Sequence, residues 1–198
     1  MKKSILLIVA CVFAFATIQA QSSEVEATTQ LTKAEQFKVS SSIVKEDKIY
    51  RFNGYGVELF AKLFTNLKTG EQLVALEIWP STGQKLLGIT APLGYLDIED
   101  VDDLILALES ITENFNNSEK KQDFSITYTA PGGIDVFFEK DGAKSLCYLR
   151  KKWYSVDDYG IQTCNYSTGC AILHVTTLPQ LISSIKEAQA IANQALAK

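Results

Sequence analysis

The sequence predicts an α+β protein built as a tandem duplication, in which an antiparallel sheet of about four to five strands is followed by one helix, twice. The main observation is a repeated pattern of apolar residues: the pattern of residues 96–111 recurs 77 positions later, in residues 173–188. The matched pairs are Leu96 with Leu173, Ile98 with Val175, Val101 with Leu178, Leu104 with Leu181, Ile105 with Ile182, and Leu108 with Ile185. Because a helix with so clean a stripe must cover apolar surface, we expect both helices on one face of a shared or paired antiparallel sheet.

The same spacing continues upstream of the two helices. Residues 133–137 (GIDVF) fall on residues 56–60 (GVELF), and Ile126 falls on Ile49. The sequence therefore predicts a first repeat at 44–115, a linker at 116–123 and a second repeat at 124–198.

The N-terminus has the pattern of an export signal. Lys2 and Lys3 precede a twelve-residue apolar run, from Ile5 to Ala16, and a polar stretch begins after Ala20. That run is shorter than the ~20 residues a membrane-spanning helix needs. We predict a signal peptide at 1–20, a periplasmic or extracellular location, and no membrane span. Residues 21–43, rich in Ser, Thr, Glu and Gln, are predicted to form a polar tether that ends in a short strand near 37–43.

Charge argues against nucleic-acid partners. Cleavage after Ala20 removes two lysines and no acid, which moves the net charge from −4 to −6. Residues 149–154 (LRKKWY) mix basic and aromatic side chains as single-strand binding grooves do. The predicted layout, a pseudo-twofold sheet that carries two helices, is similar to the TATA-binding saddle and to the Whirly and PUR-type single-strand binders. None of the sequence motifs of those families is present. A single-stranded nucleic-acid-binding-like fold is an alternative, and we predict no nucleic-acid partner.

Strands and turns alternate regularly within each repeat. An Asn53-Gly54 turn between apolar runs indicates a hairpin. Strands are predicted at residues 48–52, 57–64, 72–79, 85–90 and 94–97, and again at 124–128, 134–138, 145–154 and 171–175. A shorter turn at Asp141-Gly142 predicts that the copies differ in loop length there.

Three cysteines remain after signal cleavage, and export permits disulfides. Cys164 and Cys170 flank turn residues, so we predict a disulfide between them across a hairpin, with Cys147 free. The alternative is that all three are small buried residues.

No constellation for catalysis is visible, so we predict that the protein is not an enzyme and carries no cofactor or metal. His174 is the only histidine, and no nucleophile motif stands beside it. Five acids crowd the start of the first helix, where the dipole and free N–H groups favour negative charge. They are Asp97, Glu99, Asp100, Asp102 and Asp103. The run lacks the central glycine and distal glutamate of a calcium loop.

The strongest candidate for binding is a set of aromatic and acidic side chains. Alternation along the second strand of each repeat puts Phe60 and Phe137 opposite the stripe that meets the helix. The predicted binding face consists of Phe60, Phe137, Trp79, Trp153, Glu58 and Asp135. The competing interpretation is that this side also packs, against the other repeat, the N-terminal segment or a second chain.

These patterns lead to two functional hypotheses. The first is an exported, non-enzymatic binding or protein-interaction module with an unidentified protein partner, which could form a homodimer through the open sheet face. The alternative is a carrier of a small apolar ligand or lipid, held between sheet and helices as in helix-grip folds.

Overall fold

The computed structural model describes residues 31–81, 92–119, 122–156 and 162–197, with the backbone alone for 152–156 and 162–169. The elements are α1 (Lys33–Ser40), β1 (Val44–Gly54), β2 (Val57–Asn66), β3 (Gln72–Pro80), β4 (Gly94–Asp97), α2 (Val101–Asn117), β5 (Phe124–Thr129), β6 (Ile134–Asp141), β7 (Lys144–Val156), β8 (Gln162–Leu173) and α3 (Leu178–Leu196). The predicted tandem duplication of a sheet-then-helix unit is confirmed. The predicted strand at 85–90 and the signal peptide lie outside the described residues.

Each unit forms one antiparallel sheet in simple sequence order. Sheet 1 has the order β1-β2-β3-β4, and sheet 2 has the order β5-β6-β7-β8. The 77-residue spacing holds at the end of each unit, where a 3₁₀ turn precedes the helix at Ile98–Asp100 and again at Val175–Thr177. The two long helices then begin 77 residues apart, at Val101 and Leu178.

The spacing changes at two places inside the units. Trp79 pairs with Glu58 whereas Arg150 pairs with Asp135, so the third strands correspond at a spacing of 71. The cause is the shorter β6–β7 turn, which confirms the predicted difference in loop length. In β1 the pairing register shifts at Ile49, so Ile126 corresponds to Tyr50, and its predicted match to Ile49 is wrong.

The two long helices lie on the same side of the paired sheets, and each packs mainly on the sheet of the other unit. Helix α3 contacts β1, β2 and β3, while α2 contacts β5 and β6. Tyr50 on β1 donates a hydrogen bond to Glu187 on α3 at 3.1 Å. One apolar core therefore joins both sheets and both helices. Since each sheet is covered by a helix from the other unit, neither unit can bury its apolar surface alone.

The first hairpin turn also contacts the other unit. Gly56 has a φ of +88°, a conformation that favours glycine. A β-carbon at this position would clash with the carbonyl oxygen of Ile172 on β8. The turn thus needs glycine for its conformation and for its close approach to sheet 2.

Two sequence-based predictions are wrong in the described residues. Residues 33–40 form a helix, so the predicted tether ends earlier and the short strand near 37–43 does not form. Cys164 and Cys170 lie in one strand, β8, so the predicted turn between them is absent. The two cysteines do not lie on facing strands, so the bridge loses the hairpin geometry that favoured it. A shift in the β7–β8 register falls between them, where Cys170 opposes Arg150 and Tyr166 opposes Lys152. The side chain of Cys164 is outside the described residues, and the pairing stays a prediction.

Candidate interaction surface

The face of each sheet that points away from α2 and α3 is called the outer face here. Alternation along β2 places Glu58 and Phe60 on the outer face of sheet 1, and Trp79 on β3 shares it. Asp135 and Phe137 occupy the matching positions on sheet 2. The side chain of Trp153 lies outside the described residues. The structure thus places the other five predicted residues in two patches, one on each sheet.

On sheet 1 the patch is a carboxylate, an arginine and an aromatic ring. Arg51 donates two hydrogen bonds to Glu58 Oε1, from Nη2 at 2.7 Å and from Nε at 3.1 Å. The ring of Phe60 lies under two cations, with Lys48 Nζ at 4.3 Å and Arg51 Cζ at 5.7 Å from its centroid. Glu58 is 3% exposed and Phe60 is 6% exposed. This aromatic side chain is therefore covered by the aliphatic and charged parts of its neighbours.

Sheet 2 repeats the same three chemical groups with a different strand supplying the arginine. Arg150 Nε donates to Asp135 Oδ2 at 2.8 Å, and its guanidinium lies 4.8 Å from the Phe137 centroid. Thr129 Oγ1 donates to the other oxygen of Asp135 at 2.8 Å. Arg51 comes from the first strand of its sheet and Arg150 from the third, so the arginine is not part of the duplicated pattern. Each acid is nonetheless paired, as buried carboxylates require.

A second set of charges lies beside the Phe60 patch. Lys62 Nζ contacts Glu77 at 2.8 Å and Glu46 at 3.3 Å. Glu46 also contacts Lys38 of α1 at 2.7 Å, and Lys38 donates to the Tyr95 hydroxyl at 3.2 Å. The network therefore links all four strands of sheet 1 to the N-terminal helix.

The network has a clear pH dependence. Burial acts to raise the pKa of Glu46, but hydrogen bonds from Lys38 and Lys62 outweigh it and the pKa is lowered from 4.5. Burial acts to lower the pKa of Lys62, but the hydrogen bond and charge of Glu77, together with Tyr95 and Glu46, outweigh it and raise the pKa above 10.5. A depressed carboxyl pKa stabilises the fold above the unfolded value and loses that stabilisation as the pH falls through the folded pKa. The Glu46 contacts thus stabilise the protein at neutral pH and weaken below about pH 4.5.

Helix α1 covers part of the outer face of sheet 1. Its buried side chains, Ala34 and Phe37, pack on Phe64, Ala75 and Tyr95. The rings of Phe64 and Tyr95 meet edge to face, with centroids 5.6 Å apart. The sequence signal for this helix is the capping box between Thr32 and Glu35, which the compositional interpretation of the segment missed.

Asp97 anchors the start of α1. Its carboxylate accepts hydrogen bonds from Lys33 N at 2.7 Å and Ala34 N at 3.2 Å. The sequence assigned Asp97 to the start of the helix that follows it, whereas its side chain makes no capping bond there. Its real contacts are 63 and 64 residues away in the chain, which sequence reasoning could not detect.

Replacing Asp97 by alanine is expected to detach α1 from sheet 1. Hydrogen bonds to a charged group contribute ~1.5–3 kcal/mol each, and the first N–H groups of the helix would lose their acceptor. Hydrogen exchange of the amides of residues 35–40 should accelerate while the amides of β2 and β3 stay protected. Asp97→Asn, which keeps an acceptor oxygen, is the control and should keep most of the protection. Unchanged protection in Asp97→Ala would show that apolar packing alone holds α1.

The part of the outer face that α1 leaves uncovered forms a shallow groove of about 410 Å³. It is lined by Lys48, Arg51, Glu58, Phe60, Lys62, Glu77 and Trp79. Its carboxylates already contact cations of the groove, whereas Lys48 and Arg51 are exposed to solvent. The groove therefore presents cations and an aromatic floor.

The interior between sheets and helices is tightly filled. A cavity of about 10 Å³ is lined by apolar side chains that include Leu104, Leu149 and Leu181. This volume holds about one water molecule, whereas small-molecule sites typically measure ~300–1,000 Å³. Among the described residues there is therefore no room for a lipid between the sheets and the helices, where the carrier hypothesis places it.

Side chains that could act as a nucleophile, a base or a metal ligand lie away from both patches. Cys147 is buried in the core and forms no disulfide among the described residues, and burial raises the pKa of its thiol to about 12. His174 is exposed at the end of β8, where its carbonyl accepts a hydrogen bond from Thr177. Within the described ranges no three His, Cys, Asp or Glu residues are grouped as metal ligands. The helices of the described part are too short or too polar to cross a membrane.

We find no match for this chain among protein-family models, curated proteins or solved structures.

Proposed function

We propose that the protein is an exported, non-enzymatic interaction module that binds a partner protein through its outer sheet faces. The observation that carries this proposal is the apolar surface on sheet 2. Leu146 is 47% exposed and Ile172 is 49% exposed, and both lie on the outer face beside Phe137 and Tyr148. Contiguous exposed apolar side chains with a polar rim are typical of interaction sites.

The charged groups around this surface fit recognition rather than chemistry. Asp135 is 0% exposed and held by Arg150 and Thr129, so its carboxylate is committed to structure. Rigid, paired charges beside an aromatic ring form a preorganised surface, which lowers the entropic cost of binding.

Site-specific crosslinking in the cells that produce the protein tests the interaction. A photoreactive phenylalanine at position 146 should give discrete adducts with another protein chain. The same group at position 106, where Leu106 is 60% exposed on α2, is the matched control and should give none. Equal adducts at both positions, or none at 146, would contradict the proposal.

Mass spectrometry tests export and the carrier alternative. We expect the intact mature chain to begin at Gln21, because the apolar run ends before Ala20. A native spectrum should show the bare polypeptide mass. A stoichiometric adduct of lipid size would instead support the carrier.

A further inference from the structure

We propose that the outer face of sheet 2, over β7 and β8, is the docking site for a short amphipathic helix of the partner protein that carries cationic side chains. This inference rests on the proposed function and names the class of partner for it. The internal duplication indicates the kind of occupant, because in sheet 1 a helix covers the corresponding place.

The two outer faces correspond residue by residue at the place where α1 docks. At the spacing of 71, Ala75 on β3 corresponds to Leu146 on β7. At the spacing of 77, Tyr95 on β4 corresponds to Ile172 on β8. Ala75 and Tyr95 are two of the residues on which α1 packs. Leu146 and Ile172 therefore form the equivalent apolar floor in the second unit.

The two apolar floors differ in their exposure to solvent. Ala75 is 0% and Tyr95 is 8% exposed beneath α1, whereas Leu146 is 47% and Ile172 is 49% exposed. No helix of the described part lies on the outer face of sheet 2. Next to Leu146 there is a recess of about 320 Å³, lined by Glu139, Asp141, Lys144, Ser145 and Leu146. The second unit thus has the floor of a helix site and space above it.

The chain's own helix is held at sheet 1 by contacts that sheet 2 lacks. Asp97 accepts the first N–H groups of α1, and the residue at the corresponding place in sheet 2 is His174. At its other end, α1 is tied by the hydrogen bond from Asn66 Nδ2 to Ser41 Oγ, at 3.1 Å. Helix α1 is therefore anchored at both ends, and within the described part of the chain the site on sheet 2 is left without a helix.

Charge indicates what that helix should carry. Where sheet 1 has Lys62 and Phe64, sheet 2 has Glu139 and Asp141 at the spacing of 77. Lys144 is the one base of the recess, so acids outnumber bases among its lining residues. A helix with an apolar pair at positions i and i+3 would cover the apolar floor, and a lysine or arginine beside that pair would contact the acids of the recess. The α1 sequence itself has this pattern, with Ala34, Phe37 and Lys38.

A helix-stapled peptide with the sequence of residues 31–42 is the probe. The staple joins positions 36 and 40, which are exposed in α1. Fluorescence anisotropy should show saturable binding of the labelled peptide to the full mature chain. Leu146→Gln and Asp141→Lys should each weaken binding at least tenfold, as should Phe37→Ala in the peptide. Leu106→Gln in the protein is the matched control and should leave binding unchanged.

Each other outcome contradicts the helix site in a different way. Binding that survives Leu146→Gln would mean that the peptide exchanges with α1 on sheet 1. No saturable binding would exclude this class of helix, and adducts at position 146 in the crosslinking experiment would then leave the proposed interaction module intact. A dimer detected by light scattering that Leu146→Gln dissociates would assign the face to a second copy of the chain and overturn the proposal.

Discussion

Truncating Leu104 or Leu181 to alanine is expected to lower the free energy of unfolding by a similar amount, ~2–5 kcal/mol each, the range for large-to-small changes in a packed core. Leu104 is 1% and Leu181 is 2% exposed, and both line the small cavity between the sheets and helices. The two residues occupy equivalent positions in α2 and α3, 77 residues apart. Because the duplication gives them similar surroundings, neither site should be much more tolerant than the other.

Urea unfolding monitored by circular dichroism provides the measurement, with Leu106→Ala as the control. Leu106 is 60% exposed on the same helix as Leu104, and surface changes usually stay within ~0.5 kcal/mol. The double variant should depart from additivity, since both truncations enlarge one cavity. A large cost for one leucine and a small cost for the other would contradict a core shared equally by the two units.

The elements of the fold could be predicted because their signals are local. The stripes of α2 and α3 repeat at helical spacing, and the strand pairs alternate at a period of two. The 77-residue spacing is kept at the end of each unit because the three-residue 3₁₀ turn and the helix start that follows it match position for position in both units. These features depend on residues near one another in the chain.

The arrangement of those elements could not be predicted, because it depends on contacts distant in sequence. The packing of α2 on sheet 2 and of α3 on sheet 1 leaves no trace in a periodic stripe, which would be equally well buried on either sheet. The change of spacing from 77 to 71 at the third strand results from a loop, and loops accept length changes readily. Helix α1 is too short for its pattern to stand out from a polar segment.

The acids and aromatic rings of the candidate surface could be predicted from the sequence, whereas the cations that cover the rings could not. Alternation along β2 and β6 put Glu58 with Phe60, and Asp135 with Phe137, on the outer faces. The cations that cover the rings come from neighbouring strands, Arg51 from β1 and Arg150 from β7. Strand pairing therefore had to be known before the charge balance of either patch could be worked out.

Replacing Lys62 by methionine is expected to cost ~3–5 kcal/mol, because removing one partner of a buried ion pair leaves the other charge uncompensated. The side chain of Lys62 is 9% exposed and that of Glu77 is 6% exposed, with 2.8 Å between Nζ and Oε1. Methionine matches the length and shape of the lysine stem, so packing should change little. The cost should therefore come from the charge of Glu77.

Lys48→Met is the matched control, since Lys48 pairs with Lys62 across β1 and β2 and lies on the same face. Lys48 is exposed, and its contact with the Phe60 ring should contribute no more than ~1 kcal/mol. The double variant Lys62→Met with Glu77→Leu should recover most of the lost stability, because well-packed apolar residues often replace a buried ion pair without loss. If Lys62→Met were as mild as Lys48→Met in chemical denaturation, Glu77 would be hydrated in solution. The groove that α1 leaves uncovered would then admit water as far as the Lys62–Glu77 pair, and the two charges would not behave as a buried ion pair.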